Sequence, residues 1–368
     1  MNNWYEVKNI EQVDTPSLLF YPERIKKNIA TAKSFIDDID RLRPHVKTHK
    51  CVEVTNLMLE AGITKFKCAT IAEAEMLAIS GASDVLLAYQ PVFTKAKRLT
   101  DLIVNYQKTK FSCLIDNIDS AVMLSGEAER VGIVITVFID VNIGMNRTGV
   151  LPAQVLKLYE RCSNLKNLTI RGLHAYDGHI YTPDLQQRTL DCHFAYQPIE
   201  QLISQIEAQG YAKPVIVAGG TPTYPIFAKM PEVECSPGTF ILWDEGYRVQ
   251  FSDLPFLPAA IVATRVISVL DANTICLDMG HKAIAAENDL HKRVKFLNAP
   301  DATFIAHSEE HLVIKTSKAN QFKIGDVLYG LPMHICPTCN LYREAIIVNN
   351  DEASAEWQII ARDRKINF

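Results

Sequence analysis

The octapeptide Arg43-Pro44-His45-Val46-Lys47-Thr48-His49-Lys50 closes a short apolar run and opens a rhythm that persists to about residue 245. Apolar or β-branched runs at residues 42–47, 66–70, 84–89, 111–116, 133–141, 169–176, 214–219 and 239–243 read as strands. Amphipathic stretches between them, such as 71–80, 120–130, 153–161 and 186–209, read as helices. Connections this short force parallel pairing with right-handed crossovers. Eight such units predict a closed (β/α)8 TIM barrel, with an open doubly wound sheet as the architecture that shares the same alternation. Beyond residue 253 the helical pattern fades. Residues 259–270, 274–278, 311–315, 327–330 and 343–348 are β-rich with turn residues between them, which predicts a second, all-β C-terminal domain. The expected division is a barrel over 21–245 and a β domain over 246–368, joined by the extended residues 1–20.

Composition narrows the function classes. At 368 residues the chain has room for one large domain and a smaller one, and 48% hydrophobic with 22% charged residues suffices for a substantial core. A balance of 38 basic against 42 acidic side chains gives a net charge of −4, a field that offers no basic stripe for nucleic acid or anionic lipid. Small molecules are the expected partners. The nine cysteines are odd in number and irregular in spacing, which fits a reducing cytoplasm better than a disulfide scaffold. No apolar run approaches the roughly 20 residues that span a bilayer, and the first residues carry no export signal, so a cytoplasmic protein without membrane association is expected.

Three further turns lie at expected strand ends, where a parallel barrel places its chemistry. Residues Gly144-Met145-Asn146-Arg147-Thr148-Gly149 follow the most apolar strand, and Arg147 there can aim a fork of donors at an anionic oxygen. Gly219-Gly220-Thr221 and Pro237-Gly238-Thr239 offer backbone N–H groups and hydroxyls that can cradle a phosphate. In the octapeptide itself, a lysine crowded by cations and partly desolvated has a lowered pKa, which frees its amine for Schiff-base chemistry. Each feature also has a plain reading as a basic surface loop or an ordinary strand-to-helix turn.

Together these turns, on a barrel followed by a β domain, resemble the alanine-racemase-like class of pyridoxal-phosphate (PLP) enzymes. The octapeptide is similar, more narrowly, to the signature of the D-threonine aldolase and eukaryotic-type D-serine dehydratase family, and the likeness runs over nearly the whole chain. That resemblance implies that Lys47 holds the cofactor aldehyde, with Lys50 a neighbour and His45 and His49 tuning the site. It implies that Arg147 meets the phenolic oxygen, that Gly219, Gly220, Thr221, Gly238 and Thr239 form the phosphate cup, and that Tyr176 lies near the cofactor ring. His179 is the expected acid/base for the substrate hydroxyl, since an imidazole titrates near neutrality. Two departures stand out: Asn142 where relatives commonly carry aspartate, and Ser236 where an arginine often precedes the Pro-Gly turn. The second leaves the partner of the pyridine nitrogen unassigned.

Residues Pro332-Met333-His334-Ile335-Cys336-Pro337-Thr338-Cys339 add a metal expectation. On a strand, His-x-Cys would put both side chains on one face, and imidazole with thiolate favours zinc, with manganese the alternative. Core packing of a buried His and Cys is the plain reading; the family likeness favours His334 and Cys336 as ligands. The implied activity is a PLP- and metal-dependent lyase acting on D-configured β-hydroxy amino acids, of D-serine dehydratase or D-threonine aldolase type. The His-x-Cys pair tips the balance toward dehydration. An amino-acid racemase and a non-catalytic PLP-binding protein are the alternatives, and the resemblance implies a homodimer.

Overall fold

The computed structural model describes residues 3–317 and 319–368. Its contacts divide the chain into two compact units. One comprises residues 32–47, 55–238 and 363–368; the other comprises residues 1–31, 48–54 and 239–362.

The first strand of the chain, β1 (Ser17–Phe20), belongs to the second unit, and the next seven build the barrel. These are β2 (Lys65–Cys68), β3 (Asp84–Leu87), β4 (Lys110–Ile115), β5 (Ile135–Asp140), β6 (Leu168–His174), β7 (Val215–Ala218) and β8 (Val233–Cys235). They pair in chain order and all in parallel. Helices cross between them, and their ends follow from local chemistry. Thr70 caps helix Ile71–Ile79 by accepting from the Glu73 N–H, while the Glu73 carboxylate accepts from the N–H of Ala69. Asn117 starts helix Ile118–Val131, and Gly132, at φ +72°, stops it in the left-handed conformation that glycine adopts without strain.

The eighth expected strand, over residues 239–243, is not a strand: Thr239–Ile241 is a 3-10 turn. The short pairing run lies earlier, at β8, because Pro237-Gly238 breaks the ladder. Residues 42–47 also lack a regular strand, since Pro44 has no N–H to donate. They nevertheless close the sheet. Arg43 and His45 donate to the carbonyls of Cys235 and Pro237, the Lys67 N–H donates to Pro44, and parallel bridges join Leu42 to Cys235 and His45 to Lys67.

The barrel interior is layered. Leu86, Leu114, Phe138 and Val217 form an apolar cluster. Below it, Arg43 is fully buried and donates to Asp84 and Glu234, each at 2.7 Å. Lys65 reaches Glu234 and Arg171 reaches Asp84, also at 2.7 Å. Burial alone would raise the Asp84 carboxyl, but Arg43 and Arg171 hold it below its ordinary range.

The second unit is mostly sheet rather than all-β. Nine strands include β1, which lies antiparallel to Ala260–Val269 and parallel to Glu344–Asn349. Tyr5, Leu19, Tyr21, Ile261, Tyr329 and Leu331 are among its core residues. The unit also carries helices, including Glu245–Gln250 and Ile335–Leu341.

Breaking a buried ion pair by removing one partner leaves an uncompensated charge and costs about 3–5 kcal/mol. Arg43→Ala is therefore expected to lower stability by that order in urea denaturation. A change below 1 kcal/mol would mean that the charge layer does not hold the barrel closed.

Candidate active site

Lys47 follows the closing segment in a 3-10 turn, Val46–Thr48, and is half-buried. His45 is buried, and its Nδ1 accepts the Lys47 backbone N–H at 3.2 Å. The Lys47 Nζ lies 6.0 Å from the centroid of the Tyr176 ring. Two other cations reach the same ring: the Arg147 guanidinium carbon at 5.1 Å and Lys67 Nζ at 5.4 Å. Tyr176 in turn packs on Gly178, where any Cβ would come within 2.5 Å of the ring.

Behind Tyr176 the His174 ring is nearly parallel to it, with centroids 6.5 Å apart. His174 Nδ1 pairs with Asp140 Oδ1 at 2.8 Å, and the other Asp140 oxygen accepts from Thr148 at 2.8 Å and Gln90 at 2.9 Å. Burial lowers the His174 pKa despite the Asp140 hydrogen bond, which favours the neutral imidazole, and its buried Nε2 has no hydrogen-bond partner among the described residues. Asp140, which burial alone would raise, is kept below the usual carboxylate range by its hydrogen bonds.

The glycine turns assemble around Asp177. Its carboxylate accepts from the Gly220 N–H at 3.0 Å and from the Thr223 hydroxyl. Gly219 has φ +73°, and the Gly238 N–H donates to the Thr221 hydroxyl at 2.9 Å. A Cβ at Gly220 would stand 3.8 Å from Tyr176, so this turn abuts the same ring. Asp140, Arg147, His174 and Tyr176 are among the residues that line a cavity of about 20 Å³. The donor set fits PLP: one half-buried amine, a guanidinium, a glycine-threonine turn with backbone N–H groups, and an aromatic face backed by an imidazole nitrogen in need of a partner.

Other expected site residues lie elsewhere. His179 is exposed and rests on Gly144, where a Cβ would approach its Nε2 to 2.5 Å. It lines a separate, larger cavity of about 530 Å³ with Asn142, Gly144 and Asp191, and none of Lys47, Arg147 or Tyr176 borders that space. His49 is fully buried; burial lowers its pKa to about 3, so it adds no cation to the lysine segment. The amine that the barrel does hold near neutrality is Lys67, lowered to about 7 by burial and by the neighbouring charge of Lys47. Sequence reading passed over Lys67, Asp140, His174 and Asp177. Lysines at alternate positions of a short strand, and an aspartate and a histidine at adjacent strand ends, were the available signals.

In the second unit, strand Val327–Pro332 ends before His334, which is the N-cap of helix Ile335–Leu341. The expected strand geometry for His-x-Cys is thus corrected to a strand-to-helix turn, since an N-cap position favours the break. The two side chains still meet through a hydrogen bond. Glu287 accepts from His334 Nδ1 at 2.6 Å, and Cys336 Sγ lies 3.2 Å from the Thr48 hydroxyl and 3.6 Å from that of Thr239. Burial would lower the His334 pKa, but Cys336, Asp244 and Glu287 lift it to about 9. Among the described residues no group of three or more His, Cys, Asp or Glu is assembled to hold a metal. An imidazole and a thiol are thus the donors this pair could offer a cation, with Glu287 on the imidazole Nδ1.

A parallel barrel with a lysine and a glycine-threonine turn at its C-terminal strand ends, in a chain that also carries a mostly-sheet unit, defines the alanine-racemase-like class. Residues 22–243 match the family described as "Alanine racemase, N-terminal domain", and residues 259–348 match the "Putative serine dehydratase domain". The chain belongs to the alanine racemase N-terminal domain family. It is 27% identical over 360 residues to a D-threonine aldolase of Arthrobacter sp., covering 96% of this chain and 94% of the relative. A D-threo-3-hydroxyaspartate dehydratase of Delftia sp. (strain HT23) is 24% identical, covering 89% and 92%. Among solved structures, D-threonine aldolase from Filomicrobium marinum superposes with a TM-score of 0.86 at 25% identity, covering 95% of each chain. No helix among the described residues is long and apolar enough to cross a membrane.

The depressed His49 pKa makes a signed prediction. The unfolded imidazole takes a proton as pH falls below about 6.5 and the folded one does not, so the unfolded state binds more protons and stability is lost from there down toward pH 3. Relative to His49→Phe, the wild type should lose up to about 1.4 kcal/mol per pH unit between pH 6 and pH 4. Urea denaturation of both proteins measures this, and a pH-independent difference would refute it.

Proposed function

We propose that the protein is a PLP- and metal-dependent lyase that acts on D-configured β-hydroxy amino acids. The observation that carries this reading is the convergence of Lys47, Arg147 and the Gly219-Gly220-Thr221 turn on the Tyr176 ring. The aldolase and dehydratase relatives, which align over most of this chain, support the substrate class.

When bound, PLP supplies an electron sink for charge developing at the substrate Cα. Lys47 would hold it by its amine, Arg147 at the phenolic oxygen, and Gly219, Gly220, Thr221, Gly238 and Thr239 at the phosphate. The Lys47 amine would also be the group placed to take the Cα proton. Tyr176 and the neutral His174 wall one side of the site and exclude water. A divalent cation, zinc by the character of its donors, would be held by His334 and Cys336 and supply Lewis acidity at the substrate β-hydroxyl.

The imidazole–thiol pair favours loss of hydroxide, giving a keto acid and ammonia. The identity to the Arthrobacter aldolase favours a second outcome, Cα–Cβ cleavage to glycine and an aldehyde, for which the expected base, His179, lines the separate cavity and is not assigned a role. We further propose a cytoplasmic homodimer.

Purified protein incubated with D-serine, D-threonine and D-3-hydroxyaspartate, with and without chelator, is expected to release ammonia and keto acid in a chelator-sensitive manner. Glycine with aldehyde would select cleavage. Formation of the L-enantiomer, or turnover unchanged after complete metal removal, would overturn the reading. Lys47→Ala should abolish the yellow cofactor absorption and reduce turnover by at least about a thousandfold, whereas Lys50→Ala should keep the colour.

A further inference from the structure

A second thiol stands three residues beyond Cys336. In Cys336-Pro337-Thr338-Cys339 both cysteines are thiols, and they differ in access. Eight of the nine cysteines are buried, and Cys336 alone is part-exposed. Cys339 is 0% exposed, and no group of three or more metal donors forms around either residue among the described residues. Cys51 is close by: charge on Cys336 or on Cys51 acts on Cys339, so the three sulfurs share one neighbourhood of the second unit.

Local structure brings the 336–339 pair into register. Both residues lie in helix Ile335–Leu341, where positions three apart share a face. Helix rise and pitch set their Cα atoms about 5 Å apart, within the roughly 4.4–6.8 Å that a disulfide spans. The turn is held from several sides. The Thr338 hydroxyl donates to the His334 carbonyl at 2.8 Å and accepts from the Ala285 N–H at 3.2 Å, and the Ile335 N–H donates to Asp244 at 3.1 Å. Pro337 fixes a φ angle between the two cysteines. Cys336 Sγ faces the hydroxyls of Thr48 and Thr239 and shares a hydrogen bond with His334. A thiol within reach of reagents, with a second one a turn away under cover, is the arrangement of an attacking and a resolving cysteine.

We propose that Cys336 and Cys339 form a redox modification site for a small-molecule disulfide such as oxidised glutathione, and that the disulfide they close competes with the cation for Cys336. This rests on the reading of Cys336 as a metal ligand. In the first step the Cys336 thiolate, its proton lost to solvent, attacks one sulfur of the small disulfide; that S–S bond breaks and one glutathione leaves as thiolate. In the second step Cys339 gives its proton to solvent and attacks the Cys336 sulfur, and the other glutathione leaves as thiolate. The cysteine pair loses two electrons and the small disulfide gains them. A sulfur in a disulfide carries no thiolate charge, so the pair keeps only His334 as a donor for the cation. In a reducing compartment the exchange runs backward, which makes the modification reversible.

The test exposes the reduced full-length protein to oxidised glutathione after chelator treatment, with and without added zinc, and maps its tryptic peptides by mass spectrometry. Equilibrium dialysis supplies the zinc Kd. Residues 324–343 make one tryptic peptide that carries both cysteines, so the expected product is that peptide two hydrogens lighter with no glutathione attached. Zinc at about ten times its Kd should slow formation of this product about tenfold. Dithiothreitol should restore both thiols, and Cys339→Ala should stop at one glutathione on Cys336. No oxidation of either cysteine in the zinc-free protein, glutathione retained on wild-type Cys336, or a cross-link from Cys51 to the 324–343 peptide would overturn the proposal while leaving the metal reading intact. Should Cys339→Ala fail to fold, the wild-type peptide map alone decides. Protein that binds no zinc, or that forms the disulfide at one rate with and without bound zinc, would instead overturn the reading of Cys336 as a ligand, and this inference with it.

Discussion

The barrel unit depends on how residues 42–45 close its sheet. A regular strand would supply a ladder on both sides, but Pro44 lacks an N–H and the chain turns into a 3-10 helix at Val46. Closure is therefore thin in hydrogen bonds: Arg43 and His45 donate on one side and Pro44 accepts on the other. What compensates is charge. Arg43, buried between Asp84 of β3 and Glu234 of β8, ties the closing segment to two strands at once, and Arg171 and Lys65 complete the neutralisation. Buried ion pairs add little net stability over apolar packing, but their geometry is demanding, and here it fixes a segment that the backbone alone would leave loosely specified.

That constraint sets where the amines go. With His45 locked beside Lys67 and Pro237, the turn after it delivers Lys47 to the C-terminal end of the barrel, and the alternation of β2 sends Lys65 and Lys67 to successive layers of the same interior face. Lys65 finds Glu234. Lys67, one layer higher, finds the serine two residues further along the chain, just past the end of that strand, where a carboxylate would have made it an ordinary ion pair. The difference between a structural lysine and one held near neutrality is thus a matter of which residue of the 234–236 segment it faces.

The parts of this architecture that the sequence made legible are those set by periodicity and short motifs. Strands over 84–87, 110–115 and 135–140 are apolar runs between amphipathic helices, and the pattern alone identifies them. Lys47 and Arg147 stood out because unusual residues crowd into a turn after a strand, whereas Tyr176 was singled out only through the family resemblance. The failures have physical causes. Val233–Cys235 is three residues long, too short to show a period, so the apolar Thr239–Trp243 stretch after the Pro-Gly break looked like the better strand. His334 and Cys336 sit on a helix start, because the apolar spacing of 327–335 does not reveal where the strand stops. His49 looked like a cation in a basic octapeptide, but burial is a tertiary property, and it is burial that keeps the ring neutral.

Lys67 shows the limit most clearly. In the sequence, residues 66–70 read as a strand and nothing marks Lys67 as buried, since lysine seldom is. Only closure of the barrel turns that polar face inward. Once it does, two lysines at identical spacing receive opposite treatment: Lys65, on the outer layer, keeps a carboxylate and partial access to solvent, while Lys67 keeps neither. An amine in that position loses much of its preference for the charged state, and the nearby Lys47 pushes it further the same way. The interior of this barrel therefore grades from full neutralisation at its floor to an amine without a carboxylate partner, and with a weakened hold on its proton, one layer above.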